Sequence, residues 1–172
     1  MSGVKLGERA LQIGAGDTRV IGLIAARTGL TGTAAIVLLN DDAAPRIQRA
    51  VTDAAALADV RVVSAATLPF DDGSFDAIVV HDVAHPILDA DSLTRQRWLD
   101  ECRRLLRPGG RIVTIEPGSP VGLRALFGGS GATSNAGEGA GTAAALGAAG
   151  FAPVRVLGDR EGLRFVEGFK TH

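Results

Sequence analysis

Apolar residues along the chain fall into two alternating kinds of run. Residues 10–13, 34–39, 60–63, 76–80 and 111–116 are short runs with apolar cores. That is the length and character of strands buried on both faces. Between them lie longer segments with apolar positions three and four apart. In 17–28, Val20, Ile21, Leu23 and Ile24 share one broad face, and Gly29 stands where a helix C-cap belongs. After Asp41 and Asp42, the residues Ile47, Val51, Ala54 and Leu57 recur at helical spacing. The acidic pair suits a helix start, and Pro45 is tolerated in a first turn. Segment 93–106 carries Trp98, Cys102 and Leu105 on one stripe, and Pro108-Gly109-Gly110 predicts its end. A last helix is predicted over 140–149. Strands at 153–157 and 163–169 follow, joined by a tight turn over 158–162.

Strands alternating with helices predict a parallel sheet with right-handed crossovers. The final connection is too short for such a crossover, so the last strand should run antiparallel. The expected fold is therefore α/β: one doubly wound, mostly parallel seven-stranded sheet with an antiparallel last strand. All 172 residues fit a single domain of ordinary size. Residues 118–141, rich in Gly, Ser and Ala, read as a mobile loop within it. Ligands of such sheets bind beyond the carboxyl ends of the strands, where strand order reverses. The places to look are thus just after Ile13, Leu39, Val63, Val80 and Ile115.

Composition narrows the function classes. A net charge of −1 gives no general attraction to nucleic acid or to an acidic membrane, so neither is expected as a partner. The late arginines of the third helix, Arg103, Arg104 and Arg107, read as a solvated helix end that complements the dipole. Cys102 is the sole cysteine, which excludes an intrachain disulfide. The first eight residues hold no signal-peptide run, and no segment approaches the ~20 apolar residues of a membrane span. A cytoplasmic location is the expectation.

Three segments carry the chemistry. The first is Leu11-Gln12-Ile13-Gly14-Ala15-Gly16-Asp17, a glycine turn between a strand and a helix. Gly14 and Gly16 allow a sharp turn and close approach of a ligand. The helix start behind them presents free N–H groups that hold a carboxylate. The second segment is Leu68-Pro69-Phe70-Asp71-Asp72-Gly73-Ser74-Phe75-Asp76, and the third is Leu105-Leu106-Arg107-Pro108-Gly109-Gly110-Arg111. In this order and spacing they resemble class I S-adenosylmethionine-dependent methyltransferases, in the branch of the ubiquinone and menaquinone biosynthesis enzymes. The resemblance implies a Rossmann-like methyltransferase fold, S-adenosylmethionine as cofactor and a small-molecule methyl acceptor. It places the cofactor's methionine moiety at Gly14, Ala15 and Gly16, its ribose at Asp41 (Asn40 or Asp42 in another register), and its adenine near Ser64 and Ala65.

The chain also departs from that family. Gln12 stands where an acidic residue helps hold the cofactor's amino group, Thr18 replaces a third glycine, and Ser64-Ala65 replace an acid. The helical segment that covers the cofactor in the family is largely missing, which leaves a second copy or a partner chain to supply it. These departures motivate an alternative: a binding or regulatory module that keeps the fold without catalysis. For catalysis, His81 is the candidate base, because a histidine there follows the fourth strand on the ligand side. The sequence His81-Asp82-x-x-His85 matches no closed metal site, so no metal is expected. Glu116, ending the fifth strand, is a candidate pocket acid. Asp71 and Asp72 read as turn residues before Gly73.

Overall fold

Seven strands form one sheet in the computed structural model, which describes residues 3–16, 18–29, 32–63, 67–81, 91–118 and 136–171. The elements follow as β1 (Arg9–Ile13), α1 (Thr18–Thr28), β2 (Thr33–Leu38), α2 (Ala44–Asp53), β3 (Ala58–Val62) and β4 (Phe75–His81). After them come α3 (Ser92–Leu105), β5 (Leu106–Pro117), α4 (Ala136–Ala148), β6 (Phe151–Arg160) and β7 (Leu163–Lys170). Strand order is β3-β2-β1-β4-β5-β7-β6. Pairing is parallel from β3 to β5, and β7 runs antiparallel to both of its neighbours. This is the doubly wound, seven-stranded α/β sheet with an antiparallel last strand that the alternation predicts. Among the described residues no helix is long and apolar enough to cross a membrane.

The central strands β1, β2, β4 and β5 bury both faces because helices cover both. On one side Ile21 and Ile24 of α1, with Ile47 and Val51 of α2, pack on Ala10, Ile36, Leu38, Ala77 and Val79. On the other, Trp98, Leu99, Cys102 and Leu105 of α3 join Leu146 of α4 over Leu11, Ile13, Val37, Ile78 and Ile112. Every fully buried Ile or Leu in these layers contributes about 1.5–3 kcal/mol. The Val20 and Leu23 side chains expected on the α1 face lie outside the described residues.

Four boundaries differ from the sequence expectation. The α2 helix ends at Asp53, where Ala54 and Ala55 close a tight turn, so Leu57 is 79% exposed instead of completing the apolar stripe. Pro108-Gly109-Gly110 does follow α3, yet it lies inside β5, which starts at Leu106 in extended backbone. A register shift between Phe75 and Ala77 absorbs these residues as a bulge, with Gly109 at φ +73°. The α4 helix opens at Ala136, four residues before the predicted start, so 136–140 belong to it and not to the loop. Strand β6 extends over Phe151–Arg160 because its long antiparallel partner β7 pairs with it along most of its length. The rest of the expected loop, 119–135, lies outside the described residues.

Candidate functional site

Strand order reverses between β1 and β4, since β1 runs on to β2 while β4 runs on to β5. The carboxyl ends at this reversal are Ile13, leading into Gly14-Ala15-Gly16, and His81. The glycine turn therefore stands at the switch point, where sheets of this kind open a crevice. Gly14 takes φ +95° and donates its N–H to the Val37 carbonyl at 2.9 Å, extending the β1–β2 ladder by one bond. The α1 helix begins at Thr18 and presents its first-turn N–H groups behind the turn.

Both glycines are also demanded by His81. A methyl group added at Gly14 would come within 2.5 Å of the His81 carbonyl oxygen. One added at Gly16 would sit 2.0 Å from Nδ1 and 2.1 Å from two ring carbons of His81. The imidazole, only 6% exposed, is thus packed on the Gly16 backbone. The sequence assigns these glycines to a sharp turn and to ligand approach; the turn also has to make room for a neighbouring strand's last residue.

Gln12 is 1% exposed, on the strand face opposite Leu11 and Ile13. Its Nε2 reaches back to the Gly14 carbonyl at 3.5 Å, a long contact. Its Oε1 is buried without a hydrogen-bond partner among the described residues. A buried unpaired acceptor costs about 1–3 kcal/mol, which leaves Gln12 Oε1 open to a donor brought to the turn. Ala15 packs against the α1–α2 apolar layer, and its carbonyl accepts a hydrogen bond from Arg46 Nη2 at 3.1 Å. Nothing in the spacing of the sequence singled out Arg46.

Asn40, Asp41 and Asp42 are all exposed beyond the end of β2, on the same edge of the sheet as the glycine turn. The Asp41 carbonyl accepts from Ala44 N–H at 2.9 Å, which forms the turn into α2. Asp41 is the residue expected to meet ribose hydroxyls, with Asn40 and Asp42 as the register alternatives. Ser64, Ala65, Asp82 and His85 lie outside the described residues.

His81 and Glu116 occupy adjacent strands but opposite faces. His81 pairs in register with Ile115, whose side chain faces the α1 side, so Glu116 one residue later faces α4. There Thr142 Oγ1 donates to Glu116 Oε2 at 2.6 Å, and the carboxyl is 4% exposed. Strand parity keeps the two residues from acting as one acid–base pair.

Arg104 of α3 is more than part of a solvated helix end, and Arg107, read from the sequence as a late helix residue, lies in β5. Arg104 donates to the carbonyls of Phe70 at 3.0 Å and Leu68 at 3.3 Å, and pairs with Asp72 and with Glu101 at 2.7 Å. Glu101 in turn accepts the Leu68 N–H at 2.7 Å. This clasp fixes the Leu68–Asp72 segment onto α3. The Arg104 side-chain hydrogen bond outweighs burial and holds the Glu101 carboxyl below its ordinary value. Arg107 pairs with Asp76, which also accepts from Arg9 N–H at 2.7 Å. Burial pushes Asp76 up, but these bonds prevail and lower it.

Comparison with known proteins agrees with this geometry. A family model described as a methyltransferase domain matches residues 11–114, more than half of the chain. All three motif segments fall within that stretch. The chain is 30% identical over 122 residues to the ubiquinone/menaquinone biosynthesis C-methyltransferase UbiE of Idiomarina loihiensis, covering 70% of this chain and 47% of that protein. It is 25% identical, with the same coverage, to the UbiE protein of Escherichia coli. The chain thus spans about half the length of the curated relatives it matches. Among solved structures, a SAM dependent methyltransferase from Aquifex aeolicus superposes with a TM-score of 0.72 at 16% identity, covering 98% of this chain and 85% of that one. PigF with SAH superposes at 0.62 and 19% identity, covering 95% and 50%. At these identities the superpositions establish the fold.

Proposed function

We propose that this chain, which belongs to the methyltransferase domain family, transfers a methyl group from S-adenosylmethionine to a small-molecule acceptor. The observation that carries the reading is the glycine turn at the switch point, with Gly14 at φ +95° and the α1 N-terminus behind it. The residues present fit the cofactor. The turn keeps a side-chain-free backbone at Gly14 and Gly16, and the buried Gln12 Oε1, without a partner among the described residues, would supply an acceptor for an ammonium group beside it. By the family resemblance, the α1 N–H groups would hold the carboxylate and Asp41 would accept from the ribose hydroxyls, with Ser64 and Ala65, outside the described residues, as the candidates for the adenine.

When bound, S-adenosylmethionine supplies an electrophilic methyl carbon on a sulfonium sulfur. The chain's part is chiefly alignment, because such a displacement depends on the approach line of the acceptor. For an oxygen or activated-carbon acceptor, His81 takes the departing proton on an imidazole nitrogen. Its ring is already oriented by contact with Gly16. Glu116, on the other face of the sheet and bonded to Thr142, is not placed to assist His81. The proposal includes a cytoplasmic location, and a second copy or partner chain over the cofactor.

Calorimetric titration with S-adenosylmethionine and S-adenosylhomocysteine tests this reading. Saturable binding of both is expected; no heat at ~1 mM ligand would sink it. Release of S-adenosylhomocysteine across hydroxyl and activated-carbon acceptors then tests His81. His81→Gln should lower turnover by about 100-fold with cofactor affinity kept.

A second reading is favoured by one observation. The His81 ring rests directly on Gly16, in space beside the turn, and Gln12 lacks the charge of the family's acid. A binding module without catalysis would look the same. It predicts tighter S-adenosylhomocysteine binding in His81→Ala and no turnover with any acceptor in the parent chain.

A further inference from the structure

The carbonyl of Ala15 sits between two glycines, in the part of the chain with the greatest backbone freedom to lose. Two tethers flank it at Gly14: the 2.9 Å bond from its N–H to Val37, and the long 3.5 Å contact from Gln12 to its carbonyl. The bond at Ala15 itself comes from a distant element, through Arg46 Nη2 at 3.1 Å. We infer that Arg46 is a positioning residue, which holds Gly14-Ala15-Gly16 in the shape the cofactor meets. The inference rests on the cofactor reading above.

The scaffold behind Arg46 has little slack. Gly22 of α1 lies so close to α2 that a methyl group there would come within 3.1 Å of the Ala54 Cβ and 3.2 Å of the Ala50 carbonyl oxygen. The Ala15 and Ala44 side chains pack on the same apolar layer, around Ile21, Ile47 and Val51. The first turn of α2 is therefore held at a set distance from the glycine turn. Arg46 spans what remains with a charged donor, a stronger hydrogen bond than a neutral one. A turn ordered in advance spares the ligand that entropic cost, so loss of the tether should appear in affinity. Arg46 itself is exposed, so its removal should leave the buried core in place.

Arg46→Ala and Arg46→Lys, compared with the parent chain, test this in two ways. Without ligand, amide hydrogen exchange at Ala15 and Gly16 should quicken in Arg46→Ala and recover in Arg46→Lys, which keeps a charged donor. Thermal melting should stay nearly unchanged in both. With ligand, the S-adenosylhomocysteine dissociation constant should rise about fivefold in Arg46→Ala and return toward the parent value in Arg46→Lys. Unaltered exchange in Arg46→Ala overturns the inference whether or not the ligand binds. Faster exchange with a dissociation constant within about twofold of the parent also overturns it, because the tether would then not serve binding. Absence of binding to the parent chain would instead remove the cofactor reading, and the inference with it.

Discussion

Gly14 and Gly16 stand two residues apart in one turn, yet they differ in what confines them. At Gly14 an added methyl meets a carbonyl oxygen of the neighbouring strand, and φ is +95°, so neither neighbour nor backbone can yield cheaply. At Gly16 the obstacle is the imidazole of His81, a side chain that can be removed. Gly14→Ala should therefore cost about 2–4 kcal/mol in urea unfolding, with or without His81→Ala. Gly16→Ala should also destabilise, but the Gly16→Ala/His81→Ala double variant should recover a large part of the loss. A coupling near zero in that cycle would show that the ring does not confine Gly16. The glycines themselves were legible in the sequence as a turn that excludes side chains. That His81 is what they exclude was not, because contact between the ends of β1 and β4 depends on strand order. Arg46 was hidden for the same reason: its partner is 31 residues away in sequence, and a lone arginine early in a helix resembles any solvated charge.

Among the elements, α3 shows most clearly what a sequence pattern carries and omits. Its apolar stripe of Trp98, Cys102 and Leu105 was readable from spacing alone, and all three are buried. Its arginines were readable only as compatible with the helix dipole, whereas Arg104 and Glu101 clasp the Leu68–Asp72 segment. A segment recognised as a motif thus owes its place to a helix that follows it in the chain. Arg104→Met should loosen that segment, seen as faster proteolysis or amide exchange over residues 68–73, while α3 itself stays helical by circular dichroism. Cys102 offers a second reading of the same helix. Burial pushes its thiol up to about 12, so the reactive thiolate is scarce in the folded protein. Labelling by iodoacetamide at neutral pH should then proceed only as fast as the molecule opens, and rise with urea along the unfolding transition. Rapid labelling of the native protein would contradict the packing of α3.

Across the whole molecule, carboxylates pair with arginines within the sheet, along α3 and at the edge of β5. Glu8 pairs with Arg111 on β5, Asp76 with Arg9 and Arg107, and Glu101 with Arg104. All three carboxyls are held below their ordinary values of 4.5, 3.8 and 4.5. Their folded pKa values are depressed, so their contribution is complete above the unfolded values and is lost as pH falls through the folded ones. The urea midpoint should hold steady from neutrality down to about pH 5 and drop below it, with a shallower drop in Glu101→Gln. Strand number, direction and the antiparallel end were all legible, because alternation and loop length constrain them. The site was legible only where a single segment builds it. At this scale the claim that matters most is that S-adenosylmethionine chemistry belongs to the crevice between β1 and β4. Amide chemical-shift mapping during titration with S-adenosylhomocysteine tests it most directly. The largest shifts should fall at Gly14, Ala15 and Gly16, with a second group at Asn40, Asp41 and Asp42. Saturation without shifts at the glycine turn, or no shifts at ~1 mM ligand, would contradict the account.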